Sequence, residues 1–240
     1  MPAVAINVGA NTNSPGFRGP VHPDGRFSFL PIPEAEQTSE PVPTYGDLAP
    51  ALDCSLPADL LSTPVHLDPT FAEYPCCDRY TYGDPHGVKA RPLLELSAGD
   101  RVYFYATLSV TGPADWLPPT WGAFLIGHFT LARNPVTGEE YRGLESAARE
   151  AFAGNAHLRR AEMDAAVLLQ GDPDGSRLYE RCHPLSEPAG GTEPNQIVTD
   201  LSSDSGRGPW WRRPLRFDAA AAGELRAVLA TGHPTEDYHG

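Results

Sequence analysis

The chain has 240 residues, of which 40% are hydrophobic, and this fits one large domain or a small domain with sizeable elaborations. Its 23 glycines and 26 prolines argue against a helical bundle and favour a fold rich in strands and loops. The 31 acidic residues outnumber the 18 basic ones, and the net charge of -13 disfavours non-specific binding to nucleic acid. The sequence contains neither an apolar run of about 18 residues nor a secretory signal, so we expect a cytoplasmic protein without a membrane partner.

The basic residues are almost all arginine, because Lys89 is the single lysine. Many acids with almost no lysine predict a halophilic protein, and an ordinary acidic protein from a GC-rich genome is the alternative. In molar salt the Debye length falls to about 3 Å, so contacts with phosphate contribute little to binding. A nucleic-acid ligand would then be held by stacking and by hydrogen bonds.

The first half of the chain predicts short strands separated by long loops. A strand over residues 3–8 leads into a loop crowded with amides, and period-two alternation predicts a second strand over 26–34. A short helix is expected over 44–52, within a variable loop, and a short strand is expected over 62–68.

The second half of the chain carries the clearest patterns. The predicted elements are strands over residues 101–110, 121–135 and 164–171, helices over 138–154 and 219–232, and a polar loop over 187–208. Gly127 lies inside an apolar strand, a position typical of a bulge or of a barrel corner. We find no repeat and no linker that would divide the chain.

The order of these segments resembles the PUA-like superfamily, which includes the EVE and YTH domains. The turn and strand "GDRVYFYA", the bent strand "FLIGHFTL", a helix and the strand "AAVLLQG" carry this resemblance. It implies an α+β fold built on a small bent β-barrel, elaborated with peripheral helices and long loops. We therefore expect a single domain over residues 1–240, with an N-terminal elaboration (1–62) and a C-terminal loop plus helix (187–232).

A longer resemblance begins at the N-terminus. The segments "INVGANTNSPGFRGPVHPDGRFSFLPIPE", "TYGDL", "HLDPTF" and "YTYGD" are similar to the nucleotide modification associated domain, type 3, and later segments extend the similarity over most of residues 4–185. That family is associated by context with enzymes that modify DNA bases. The resemblance implies a nucleotide or a nucleic-acid base as the ligand and DNA-modification enzymes as candidate partners, without implying a reaction.

The loop after the first strand is rich in amides. Asn7, Asn11 and Asn13 each carry the donors and the acceptor needed to read the Watson–Crick edge of a base. Arg18 could add a contact with phosphate or stack on a base. The alternative is that these amides bond the loop's own backbone through Asx turns and bind no ligand.

Two later segments carry the other predicted ligand contacts. In "NAHLRR", Asn155, His157 and Arg160 would contact a phosphate or a base, unless Asn155 caps a helix and the arginines are solvated. Ser176 and Arg177 follow a glycine-bearing turn, where an arginine suits bidentate binding of an anion. An intramolecular salt bridge is the alternative for Arg177.

Aromatic side chains could stack on a base that is held out of its helix, and we favour Tyr82 and Trp121 for this role. Most other rings are expected to be structural. No known catalytic signature is present in the sequence, but "HLD" and "YGD" supply acid–base groups. If the protein is an enzyme, Asp68, Asp84 and His157 are the candidate acid–base residues.

No cofactor and no metal site are expected from the sequence. Cys76 and Cys77 are adjacent, which is not a metal-binding spacing, and a zinc site that combines them with Cys182 and His183 can be drawn without support. We expect all four cysteines, which include Cys54, to be reduced thiols.

Three functions fit the sequence: a module that binds a nucleotide or a flipped base, an enzyme that modifies one, and a structural partner of a modification complex. We favour the binding module, in which distant polar segments meet in one pocket at the mouth of a curled sheet.

Overall fold

The structure, a computed structural model, describes residues 1–231 of the chain. Within them, the strands in chain order are β1 (Ala3–Asn7), β2 (Pro20–Val21), β3 (Ile32–Pro33), β4 (Val65–His66), β5 (Thr81–Asp84), β6 (Arg101–Val110), β7 (Trp121–Thr130), β8 (Val136–Thr137), β9 (Val167–Gln170), β10 (Arg177–Pro184) and β11 (Leu215–Phe217). The α-helices are α1 (Tyr45–Leu48), α2 (Gly87–Leu94), α3 (Gly138–Gly143), α4 (Ser146–Glu150), α5 (Ala156–Arg159) and α6 (Ala219–Ala230). This mixture of sheets and helices confirms the α+β class.

The chain divides into two compact units, and each is described by itself. The first unit comprises residues 1–30, 103–127 and those from 179 onward, and the second comprises 31–102 and 128–178. The single-domain organisation expected from the sequence stays a prediction. The ends of the predicted domain and of the predicted C-terminal helix lie outside the described residues.

The first unit is built on a six-stranded sheet with the strand order β10-β7-β6-β1-β11, and β2 pairs in parallel with β6. β1 and β11 are antiparallel, with Ala3 opposite Phe217. The buried core of this unit includes Tyr103 and Tyr105, and the Tyr105 hydroxyl donates to the carbonyl oxygen of Arg213 at 2.6 Å. Both rings are structural, as expected for most aromatic residues of this chain.

The sheet of the first unit is open. β10 and β11 lie at its two ends, and within residues 1–231 its strands do not close on themselves, so the predicted β-barrel is wrong in this respect. The alternation of apolar and polar residues along the strands and the mid-strand Gly127 indicate a curved sheet. Closure of that sheet into a barrel requires pairing between strands that are distant in sequence, and no local pattern determines that pairing. A relation to the PUA-like superfamily stays a prediction.

The second unit holds two smaller sheets. One has the order β5-β9-β8, and in it Asp84 lies opposite Val167. The other pairs β3 with β4, and in it Ile32 lies opposite His66. An apolar cluster around the buried Phe152 packs the helical segment between β8 and β9 against both strands. Because β9 also pairs with β5, this cluster supports the sheet whose strand β5 ends at Asp84.

Most predicted elements are confirmed, and two are wrong. β6 has the predicted bounds, whereas the predicted strand over 26–34 contains strand at Ile32–Pro33 and an isolated bridge at Phe27. Prolines in that stretch lack the N–H that a strand ladder needs. The predicted helix over 138–154 is two helices, α3 and α4, because Leu144 and Glu145 adopt extended backbone conformations.

Two further observations concern helices. The predicted polar loop over 187–208 contains a π-helical turn at Ile197–Leu201. In the part of the chain that the structure describes, no helix combines the length and the apolar character that crossing a bilayer requires.

Candidate functional site

Three segments of the second unit meet in one buried polar cluster. β4 ends at His66 and is followed by Asp68, β5 ends at Asp84, and α5 carries His157. The name His–Asp cluster is used below for His66, Asp68, Asp84, Asn155 and His157, each of which is at most 8% exposed. The two histidines are 91 residues apart in sequence, so the cluster exists only in the folded chain.

Asp68 is held by donors from two of these segments. The backbone N–H of Gly83 donates to both oxygens of its carboxylate, at 3.0 and 3.2 Å, and Asn155 Nδ2 donates to Oδ1 at 3.0 Å. Burial raises the pKa of Asp68 well above its usual value, and the charge of Asp84 raises it further, although the bond from Gly83 acts to lower it. A buried carboxyl group in this environment can hold a proton or neutralise a cation.

Asn155 fixes the position of α5. Its Oδ1 accepts the backbone N–H of His157 at 3.1 Å, which makes Asn155 the N-cap of the helix. Its Nδ2 donates to Asp68 and also to Thr81 Oγ1, the latter at 3.3 Å. The N-cap role that the sequence left as an alternative is confirmed, and the same amide joins α5 to β5.

The two histidine rings face each other through their Nε2 atoms, which are 3.2 Å apart, with the ring planes at 80°. His66 Nδ1 lies 2.6 Å from Glu34 Oε2, and His157 Nδ1 lies 2.7 Å from Asp164 Oδ1. An ionised carboxylate accepts hydrogen bonds and cannot donate them, so each Nδ1 carries a proton. In a neutral ring with a protonated Nδ1, the Nε2 atom carries a lone pair.

Charged side chains around the two histidines determine which groups of the cluster are ionised. Burial acts to raise the pKa of Glu34, but hydrogen bonds from His66 and Arg160 lower it to about 2. Burial likewise acts to raise the pKa of Asp164, and its bonds with His157 and Arg160 lower it. Burial, together with the charge of His66, lowers the pKa of His157 to about 4. Near neutral pH the two carboxylates are therefore ionised and the His157 ring is neutral.

Asp84 lies beside Asp68 and is held by internal partners. Its Oδ2 accepts from the Tyr82 hydroxyl at 2.5 Å and lies 3.6 Å from Lys89 Nζ, and its Oδ1 accepts the backbone N–H of His86 at 2.8 Å. Tyr82 is buried, and burial followed by the charge of Asp84 raises the pKa of its hydroxyl. In this structure Tyr82 acts as a donor to Asp84, and its predicted contact with a base stays a prediction.

Three side chains of the cluster could hold a metal ion. One donor atom from each of His66, Asp68 and His157 lies within 4.8 Å of the other two. The cysteines are free thiols, as expected, and across residues 1–231 none of them joins such a group. No metal site was expected, because the cysteines lack a metal-binding spacing, and a group formed by residues from distant segments follows no spacing rule in the sequence.

Almost the whole chain is similar to one known protein family. Residues 2–227 match the family described as nucleotide modification associated domain 3, and the match includes every residue of the His–Asp cluster. The chain belongs to this family. The match confirms the resemblance seen in the sequence and extends past residue 185. No curated protein and no solved structure matches the chain.

In this member of the nucleotide modification associated domain 3 family, the amide loop lies in the first unit. Asn11 Oδ1 accepts the backbone N–H of Asn13 at 2.8 Å, which is an Asx turn, and Asn7 Nδ2 lies 3.5 Å from the carbonyl oxygen of Tyr105. These bonds correspond to the loop-stabilising alternative. Contact of the three amides with a ligand stays a prediction.

Arg18 and Trp121 lie together in the same unit. The guanidinium carbon of Arg18 is 4.4 Å from the centre of the Trp121 ring, and Trp211 meets that ring edge-on at 5.5 Å between centroids. Burial lowers the pKa of Arg18, and among the described residues its Nε has no hydrogen-bond partner. An arginine that lies over an indole ring and has an unused N–H donor is chemically suited to bind a nucleotide. This role stays a prediction.

The remaining predicted contacts lie in the second unit. Ser176 Oγ accepts the backbone N–H of Thr130 at 3.2 Å, and Arg177 is exposed. Arg160 donates to Glu34 Oε1 at 2.8 Å and to Asp164 Oδ2 at 2.5 Å, so the anions that it meets are the protein's own carboxylates. The structure thus brings Arg160 to the histidine pair and places Ser176 against β7.

Glu34 and Asp164 were not predicted from the sequence, and His66 was noted in "HLD" as a possible acid–base group without being among the final candidates. The segment "HLD" carries a usable signal, since a histidine and an aspartate two residues apart at the end of a strand project to the same side. Glu34 and Asp164 have no comparable local signal. They resemble any other acid of this chain until the fold places them against the two Nδ1 atoms.

Proposed function

We propose that the protein binds a nucleotide, or a modified base of DNA or RNA, and acts as an enzyme of nucleotide or base modification. Membership in the nucleotide modification associated domain 3 family supports the class of ligand. One observation carries the proposal of a reaction: Asp68, Asp84 and His157, the acid–base candidates of the sequence, meet in one buried cluster. The pKa values of Asp68 and His157 are shifted by burial and by charged neighbours, which is typical of reaction centres.

The His157 ring is the basic group of this proposed centre. Its Nδ1 donates to Asp164, which fixes the tautomer and the orientation of the ring. Its Nε2 lies 3.6 Å from Asp68 Oδ2, on the side away from Asp164. A carboxylate that orients a histidine in this way leaves the second ring nitrogen able to accept a proton.

Recognition of the ligand is proposed to involve stacking as well as hydrogen bonds. The Trp121 ring beside Arg18 supports a stacking contact within the first unit, separate from the reaction centre of the second, because a base stacked on an aromatic ring gains about 1–3 kcal/mol. The order of the segments further supports our proposal that the domain is a PUA-like relative. We also propose a cytoplasmic, halophilic protein that works beside DNA-modification enzymes.

Binding without turnover is the second candidate function. It is favoured by the observation that the polar groups of the His–Asp cluster are bonded to one another, with Asn155 completely buried. A network of this kind also suits a purely structural role. The two candidates differ in one measurable outcome, which is whether a bound ligand is chemically changed.

A thermal-shift screen of the full chain tests the proposal. Nucleosides and mononucleotides with unmodified and modified bases are compared at low salt and in molar KCl, and a ligand at 100 times its Kd should stabilise the protein by about 2.7 kcal/mol. Ligands that stabilise are then incubated with the protein, and the products are analysed by mass spectrometry. Turnover is the expected result.

Asp164→Asn provides the test of the reaction centre. The neutral amide orients His157 less strongly, so turnover should fall at least tenfold while ligand binding is retained. Asp59→Asn, an exposed acid in the same unit, is the matched control. If no nucleotide stabilises the chain, the proposal is wrong, and if ligands bind without any product, binding alone is the function.

A further inference from the structure

We propose that His66, Asp68 and His157 bind a divalent first-row transition-metal ion through the two Nε2 atoms and Asp68 Oδ2. This inference goes beyond the proposed function. Binding of an ion can be measured without a nucleotide, so the result does not depend on whether a substrate is found.

The tautomers of the two rings point to a cation between them. Glu34 and Asp164 each accept from an Nδ1–H group, at 2.6 and 2.7 Å, so in the neutral form of each ring the Nε2 atom carries the lone pair. Two nitrogen lone pairs that face each other at 3.2 Å repel unless a positive charge lies between them. A metal ion and a shared proton both satisfy this requirement, and we infer a metal ion because a third donor atom lies beside the pair.

The distances between the donor atoms fit the coordination of one metal ion. Two nitrogen ligands of a tetrahedral ion, each about 2.0–2.1 Å from the metal, lie about 3.3 Å from each other. The two Nε2 atoms are 3.2 Å apart, and His157 Nε2 is 3.6 Å from Asp68 Oδ2. A shared proton would also explain the first distance, with Asp68 Oδ2 paired to the charge of the protonated histidines, so direct measurement of bound metal decides between the two.

Asp68 has the properties of a third ligand. Its Oδ1 is bonded by Asn155 Nδ2 and its two oxygens by the Gly83 N–H, so the carboxylate is fixed in orientation. Its Oδ2 is the oxygen that lies nearer the histidine pair. A buried carboxylate beside a second acid, Asp84, gains electrostatically from a nearby cation.

The groups behind the histidines have the arrangement found around bound metals. A metal-ligating histidine usually donates its other ring N–H to a carboxylate, which orients the ring and raises its basicity. Glu34 and Asp164 provide this partner for the two rings, and Arg160 bridges the two carboxylates. The side chain of Asp164 is 38% exposed, so the cluster lies one side chain away from solvent.

The donor set defines the class of ion. Imidazole nitrogens suit zinc, iron, cobalt and their neighbours, whereas magnesium and calcium prefer sites made of oxygen. Three protein ligands, as found within the described residues, leave at least one position for water or substrate, which is the arrangement of catalytic zinc sites and not of closed structural ones. With an ion bound, His157 would serve as a ligand and not as the proton acceptor.

The test uses the full chain, without an affinity tag, after removal of metals by a chelator. The protein is titrated with Zn2+ and with Co2+, and bound metal is measured by equilibrium dialysis with elemental analysis and by the visible absorption of Co2+. We expect one ion per cluster. His157→Gln should lower the affinity at least tenfold, and His86→Gln, an exposed histidine of the same unit, should leave it unchanged.

A second variant covers the case in which His157→Gln does not fold, which circular dichroism would reveal. Asp164→Asn changes a partly exposed side chain and keeps an acceptor for His157 Nδ1, and it should weaken ion binding by about tenfold. Asp59→Asn again serves as its control. If His157→Gln does not fold, the affinity of the Asp164→Asn variant for the ion decides whether the inference holds.

Two results would overturn the inference. In the first, the wild-type chain binds neither ion at micromolar free concentration, and the histidine pair then shares a proton. In the second, a folded His157→Gln variant binds as tightly as wild type, and the ion then lies elsewhere. A chain that binds the ion but no nucleotide would overturn the proposed function and leave the metal site in place.

Discussion

At Gly83 the packing of the His–Asp cluster leaves no room for a side chain. A Cβ at this position would lie 2.6 Å from His157 Cδ2 and 3.1 Å from Asn155 Oδ1. We expect Gly83→Ala to displace His157 and to lower the free energy of unfolding by about 1–3 kcal/mol. Urea denaturation measures this loss, and the affinity for Co2+ in the same variant measures the displacement of the ring.

Gly87→Ala is the matched control for that prediction. Gly87 is the first residue of α2, and a Cβ there meets nothing within 4 Å. Alanine favours a helix over glycine, so this variant should be as stable as the wild type or slightly more stable. Equal unfolding midpoints for the two variants would contradict the packing described at Gly83.

The residues of the site differ in how far the sequence predicts them. Asp68, Asn155 and His157 were predicted as acid–base or ligand-binding residues because a histidine, an amide and an acid in short polar segments stand out in an otherwise ordinary chain. Glu34 and Asp164 could not be predicted, because their role depends on which Nδ1 atom each one meets, and tertiary contacts decide that.

At the level of elements, the sequence predicts long apolar segments well and short polar ones poorly. β6 and β7 follow apolar runs that bury most of their residues; β6 has the predicted bounds, and β7 begins where predicted but ends at Thr130 instead of residue 135. α3 and α4 were predicted as one helix, because the period-3.6 pattern continues across a break at which the backbone is extended. α5 has four residues and is held by its cap and its contacts, not by helix propensity.

The N-cap of α5 gives a prediction at this scale. Asn155→Asp keeps the oxygen that accepts the His157 N–H but replaces the donor to Asp68 by a second acceptor. Two buried carboxyl oxygens about 3.0 Å apart repel, and the lost hydrogen bond adds a desolvation cost. We expect the free energy of unfolding to fall by about 1–3 kcal/mol, measured by urea denaturation.

The same substitution at Asn134 is the control. Asn134 is exposed, and its Oδ1 accepts the backbone N–H of Ala98 at 2.9 Å, which an aspartate can also do. Asn134→Asp should therefore change the stability by less than about 0.5 kcal/mol. If Asn155→Asp is equally harmless, the bond between Asn155 and Asp68 does not hold α5 in place.

For the whole molecule, the family was predictable from sequence and the closure of the sheet was not. The long N-terminal segments and the later ones together identify the family, and the match over residues 2–227 confirms it. Whether the strands close into a barrel depends on which edges pair, and the sheet of the first unit ends at β10 and β11. The charge composition, in contrast, affects the stability of the whole chain, and the prediction drawn from it does not depend on any binding site.

The net charge of -13 determines how the whole chain should respond to salt. Repulsion among like charges destabilises the compact state, and the Debye length that screens it shortens from about 30 Å at 0.01 M to about 10 Å at 0.1 M and about 3 Å at 1 M. If the proposed halophilic surface is correct, the thermal unfolding midpoint should rise throughout this range of KCl, and a parallel series in choline chloride controls for the cation. A midpoint that stops rising above 0.1 M would instead identify an ordinary acidic protein, in which a Debye length of about 10 Å already removes most of the repulsion. A midpoint independent of salt would show that repulsion among the 31 acids does not limit stability at all.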